Sequence, residues 1–210
     1  MASPVGHTLV GATIAYVGLQ TKASSGARSW RRRALAVGLG VLAASWADLE
    51  GLADTLTLGV FRYASHRSIF HSLPLAVVAG AFLAELGVRL RVWPRRRSYL
   101  VAILAACSHP LLDWANGGWG VPLFWPLSTA RYASPWPVLG SPPLGLWGIV
   151  AWNFLLWDLI VFVPGFVASV LLCRARAGGT HRAFCVVVGL ILSLFTVMML
   201  AVSHYTDLLF

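Results

Sequence analysis

Six separate runs of mostly apolar residues, each long enough to cross a hydrocarbon layer as a helix, constrain this chain more than any other feature. A spanning helix needs roughly 17 to 25 such residues. The runs cover about residues 4–20, 34–58, 73–90, 99–115, 144–173 and 183–208. Composition agrees: 58% of the residues are hydrophobic and 11% charged, against about 25% charged in a soluble domain. The predicted fold is all-α, a polytopic membrane protein of six transmembrane helices forming one bundle and a single domain over residues 1–210, with no internal repeat. The segment before the first run lacks a basic region and a small-residue cleavage site, so that run is expected to be retained. Cys107, Cys173 and Cys185 lie in apolar runs and form neither a disulfide framework nor a CxxC metal knuckle.

The formal charge of +9, from 16 Lys and Arg against 7 Asp and Glu, would suit a nucleic-acid binder if the charges were spread differently. Thirteen of the sixteen fall on alternate connections: Lys22, Arg28 and Arg31 to Arg33 after the first run, Arg89, Arg91 and Arg95 to Arg97 after the third, and Arg174, Arg176 and Arg182 after the fifth. Basic residues collect in cytoplasmic loops, so both termini are predicted to be extracytoplasmic. The expected partners are membrane lipids and a lipid or lipid-linked substrate, with no nucleic acid.

With that orientation, His7, Asp48, Glu50, Asp54, His66, His71, His109, Asp113, His204 and Asp207 fall toward the outer face, leaving His181, Glu85 and Asp158 elsewhere. Asp48 lies roughly 21 Å along a helix begun at Ala34. Ionisable groups in membrane segments are costly and mark function by default. Mixed imidazole and carboxylate donors suit a divalent metal, zinc first, with manganese or iron as alternatives, one or two ions in number. Such a metal activates water and polarises a scissile bond.

His109 and Asp113, four apart, share one helical face; they either ligate together or the carboxylate orients the imidazole. In His66-Arg67-Ser68-Ile69-Phe70-His71-Ser72 the five-residue separation places His66 in a turn and His71 where the next helix starts, with Ser72 as N-cap and Pro74 in the first turn. Arg67 is positioned to steady charge developing on a substrate, or to anchor a headgroup. Asp48 and Glu50, two apart, point to nearly opposite sides of a regular helix, so both reach one centre only if the helix loosens nearby. The long Pro- and Trp-rich connection of residues 116–143 reads as an interfacial lid, with Arg131 available to an anionic substrate. Asp158 reads as a structural hydrogen-bonding group within the fifth run.

Together, His7 followed by Gly11, Asp48-Leu49-Glu50, His66-Arg67 to His71-Ser72, Ser108-His109-Pro110-Leu111-Leu112-Asp113, and Phe124-Trp125-Pro126-Leu127-Ser128 with Arg131 resemble the YdjM-type inner-membrane family of metal-dependent hydrolases. The resemblance covers about residues 1–135, with the spans of residues 144–208 additional to it. The chain departs from the family pattern at Glu50, where a second Asp is usual, and at Ser68 and Phe70, where Gly and Thr are common. The resemblance implies a metal-dependent hydrolase of the cell inner membrane, and the ordered His and Asp positions also look distantly like zinc-dependent phospholipase C.

The resulting expectation is a membrane hydrolase with an extracytoplasmic site. His7, Asp48, Glu50, His66, His71, His109 and Asp113 are its candidate metal ligands, and Arg67, Arg131 and Asp113 its candidate catalytic residues. A lipid-linked phosphoester is the expected substrate, and a lipid amide its rival. A transporter, or a scaffold holding a structural metal, are the non-enzymatic alternatives.

Overall fold

The computed structural model describes residues 4–19, 28–50, 68–116, 120–135, 147–177, 185–186, 189–190 and 192–193. These form five helices: α1 Pro4–Gly18, α2 Arg28–Ser45, α3 Leu73–Arg89, α4 Arg95–Ala115 and α5 Trp147–Ala177. Short 3-10 turns at Trp46–Asp48 and Ile69–His71 follow α2 and precede α3. Among the described residues the sole extended pairing is an isolated antiparallel bridge between Val121 and Tyr132. The fold is all-α.

The helices fall on the first five apolar runs, α2 covering the first part of the second, whose residues 51–58 lie outside those described, and two of them start earlier than hydropathy alone indicates. The arginines preceding the second and fourth runs form the opening turns of α2 and α4. Arginine is a good helix former, and its long stem lets the guanidinium reach water from a helical backbone. Arg32 Nε also donates to the Val92 carbonyl at 2.7 Å, tying α2 to the turn after α3. Ser72 stands at the N-cap of α3, with Pro74 in the first turn as expected, although its side chain makes no capping hydrogen bond.

The principal packed pairs are α3 with α4 and α1 with α2; α1 also meets α4 and α5, and α2 meets α4. Their interfaces are built from small residues. Ala43, Ala76, Ala84, Ala102, Ala105 and Ala106 are buried together with Leu83. The closest approach is between Gly11 of α1 and Gly40 of α2. A Cβ on Gly11 would run into the Gly40 carbonyl and the Ala44 methyl, and one on Gly40 would meet the Ala15 methyl. Large apolar side chains point the other way: Phe82 is 75% exposed, Val78 64% and Leu100 60%.

Among the described residues, no helix is long and apolar enough to cross a membrane. The α3 helix has 17 residues, and α2 and α4 both begin with an arginine cluster. Most of the sixth run, together with His66, Arg67, Asp54, His181, His204 and Asp207, lies outside the described residues. The chain alternates direction from α1 to α4, so the arginine-rich ends of α2, α3 and α4 gather opposite the ends that carry His7, Asp48, His71 and Asp113.

Candidate metal centre

Four separate pieces of chain deliver the site. His7 sits in the opening turns of α1 and is 1% exposed. Asp48 ends the 3-10 turn after α2, His71 ends the 3-10 turn before α3, and His109 and Asp113 lie four apart on α4. His71 and His109 are fully buried and Asp113 nearly so, while the Asp48 side chain retains 23% exposure and forms the solvent-facing edge. The loosening of α2 required by the sequence occurs between Ser45 and Asp48, where the coil tightens to 3-10 geometry. Such a switch re-aims the side chains that follow it, and here Asp48 and Glu50 both reach His71.

The donor atoms stand at ligand-to-ligand spacings. His109 Nε2 is 3.5 Å from Asp48 Oδ1 and 3.9 Å from Asp113 Oδ2. His71 Nε2 is 3.4 Å from Asp113 Oδ2 and 3.8 Å from Asp48 Oδ1. His7 Nε2 is 3.5 Å from Asp113 Oδ1, and its ring stacks on that of His109 with centroids 3.8 Å apart. Metal–donor bonds of 2.0 to 2.1 Å in a tetrahedron put neighbouring donors about 3.4 Å apart. Two sets satisfy the grouping, His7, His109 and Asp113, and Asp48, His71 and His109, with His109 common to both.

His109 supplies the sharpest test of whether a cation fits. Its Nδ1 lies 2.6 Å from the Ala44 carbonyl oxygen, an acceptor, so Nδ1 carries the hydrogen and donates. The ring so tethered turns Nε2 toward the carboxylates. That buried atom has no hydrogen-bond partner, and it faces carboxylate oxygens that are themselves acceptors. Carboxylates gathered around a buried ring nitrogen are stabilised by a positive charge among them, which a bound cation or a protonated imidazole supplies. A ring nitrogen tethered to a backbone carbonyl is also the usual way a metal-binding histidine is oriented.

Glu50 occupies a different position from the ligand sets. Its Oε1 is 3.3 Å from His71 Nδ1, the ring nitrogen on the side away from Asp113. It accepts hydrogen bonds from the Ser68 backbone N–H at 3.2 Å and from the Ser68 hydroxyl. The Ser68 hydroxyl, which glycine would lack, is thus bonded to the Glu50 carboxylate. Burial disfavours a charge on His71, and the carboxylates of Asp48, Glu50 and Asp113 overcome it, raising its pKa to about 9.

The loop of residues 120–135 leans on this end of the bundle. The Leu73 N–H donates to the Leu123 carbonyl, and the Ser134 N–H to that of Trp114. Arg131 is exposed, and its guanidinium bonds the Gly120 carbonyl at 3.1 Å. Leu127 and Phe124 project outward from the loop. Asp158 falls within α5, and its side chain is outside those described. Sequence reasoning passed over the Ala44 carbonyl, a backbone group whose role depends on the break in α2, and the Ser68 hydroxyl, whose partner Glu50 lies eighteen residues earlier.

Comparison with known proteins places this geometry in context. Inner membrane protein YbcI of Escherichia coli (strain K12) is 32% identical over 111 residues, 51% of this chain and 62% of that protein's length, so the chain spans less than two thirds of this relative. No solved structure matches. A family match extends over residues 1–204, well past the stretch on which the resemblance rests and into the last two runs. Over nearly its whole length, then, this chain belongs to the YdjM inner membrane protein family.

Proposed function

We propose that the chain is a multi-pass inner-membrane hydrolase that uses a divalent metal, zinc first, to cleave a lipid-linked phosphoester at the extracytoplasmic face. The observation that carries the metal is the buried His109 Nε2 facing Asp48 and Asp113 with its other nitrogen committed to Ala44. Support for the membrane comes from the inverted packing. Alanine and glycine fill the helix interfaces while Phe82, Val78 and Leu100 face outward. Lipid-embedded bundles pack in this way, because lipid gives large apolar groups no reason to turn inward. The arginine-rich end opposite the site supports the orientation.

His7, Asp48, His71, His109 and Asp113 would hold the cation, which when bound supplies a polarising charge and activates water for hydrolysis. The chain's own groups set the conditions. Ala44 holds the proton on His109 Nδ1, and Glu50 faces the corresponding nitrogen of His71, so both rings turn Nε2 toward the carboxylates. Asp113 presents one oxygen to His7 and the other to His71 and His109, so this one carboxylate would serve whether one ion or two were held. Asp48, the partly exposed member, is the side from which a headgroup enters. Arg67 and Arg131 are the cations assigned to the substrate's negative charge.

Elemental mass spectrometry of the detergent-purified protein, wild type beside His109→Ala and Asp113→Ala, tests this reading. One or two equivalents of zinc, manganese or iron, lost in both variants, are expected. Hydrolysis of phospholipid and lipid-amide panels by the wild type should follow, with phosphoesters turned over in preference. A wild type that holds no metal after reconstitution would sink the proposal.

A further inference from the structure

At the arginine-rich end of the bundle, far from His7 and Asp113 along the helices, a second site is shaped for a different ligand. A groove of about 600 Å³ runs along α2, lined by Trp30, Arg31, Leu35, Gly38 and Leu42, with Leu90 beyond α3 closing one side. Its floor is open because Gly38 has no side chain: a Cβ there would meet nothing within 4 Å. Leu35 and Leu42 are exposed along its length. At its head the Arg31 guanidinium lies 5.7 Å from the centre of the Trp30 ring, and Trp30 itself is 63% exposed. The neighbouring Arg32 is bonded to the Val92 carbonyl, whereas no described carboxylate pairs with Arg31.

We infer that this groove binds one anionic phospholipid, its phosphate at Arg31 and an acyl chain laid along α2 to Leu42. Length and charge both select that occupant. From Arg31 to Leu42 the helix rises about 17 Å, close to the ~15 Å depth of one leaflet's hydrocarbon. The groove thus runs from headgroup level to the middle of the bilayer. Tryptophan beside arginine is the pairing that sits at the lipid–water boundary. A basic pocket between helices on the cytoplasmic side is suited to anionic headgroups, and an uninterrupted apolar floor offers nothing to a soluble anion. The site shares no residue with the metal centre, so it rests on the membrane orientation proposed above and not on the hydrolase chemistry.

The test is native mass spectrometry of delipidated, detergent-purified protein given equal amounts of dioleoylphosphatidylglycerol and dioleoylphosphatidylcholine. Wild type is expected to retain one lipid with about a fivefold preference for phosphatidylglycerol, the preference one arginine near a lipid surface supplies. Arg31→Gln should bring that ratio close to one. Gly38→Trp, whose Cβ meets nothing within 4 Å and whose indole would occupy the groove, should remove the adduct, with an unchanged unfolding midpoint in detergent showing that the bundle is intact. Equal retention of the two lipids by wild type, no retained lipid at all, or an undiminished adduct in Gly38→Trp would each overturn the inference.

Discussion

Glu50 ends on the outer nitrogen of His71 and is held there by two donors from Ser68. A carboxylate in that place fixes a ring and raises its basicity, and its loss typically weakens metal binding by about 10- to 100-fold. Glu50→Gln should therefore keep the metal stoichiometry but lose affinity by that factor in competition with a chromogenic chelator. Loss of stoichiometry instead would make Glu50 a ligand. His71 sets the pH dependence. Its pKa, about 9 in the metal-free fold against 6.5 in the unfolded chain, means that its ion pairs stabilise the metal-free protein fully below pH 6.5, and that this contribution disappears as pH rises through about 9. A metal needs the neutral ring, so metal affinity should run the opposite way and increase between pH 6 and 9. Affinity independent of pH over that range would remove His71 from the ligands. The four-residue spacing of His109 and Asp113 was legible because a regular helix settles which side chains share a face. The relation of Asp48 to Glu50 was not, since it depends on a 3-10 turn and on a partner eighteen residues further along.

The α1–α2 pair holds His7 in place, and its contact is backbone on backbone at Gly11 and Gly40. Gly40→Ala should push the helices apart and cost about 1 to 3 kcal/mol, seen as a lower unfolding temperature in detergent together with reduced metal content. Gly38→Ala, two residues away over open space, should instead be neutral or stabilising by up to about 1 kcal/mol, because alanine is the better helix former. If the two variants melt alike, the close packing of α1 on α2 is not what positions His7. Hydropathy located five helices because an apolar run of this length has few other ways to satisfy its backbone. Their starts at Arg28 and Arg95 escaped it, since hydropathy scores the arginine head and ignores the helix-forming stem.

Across the chain, the distribution of charge and bulk gave the architecture early: imidazoles and carboxylates toward one end, arginines toward the other. The proposed orientation makes a direct prediction for single-cysteine variants in a cysteine-free background in intact cells. An impermeant maleimide should label position 127, in the exposed loop beside the site, and should leave position 96, at the arginine-rich end, unlabelled until the membrane is opened. Labelling of both positions in intact cells would refute the orientation. The pairing of particular donor atoms could not be read in advance, because it arises from helices distant in sequence whose separation is set by alanine and glycine contacts. One consequence concerns timing during synthesis. Both donor groupings need His109, and one also needs Asp113, while His7 is made near the start of the chain. A nascent chain halted in the turn before α4 carries donors but no complete set, so under the proposed function metal capture would await the fourth helix, and the cation would then join α1 to a segment made about a hundred residues later.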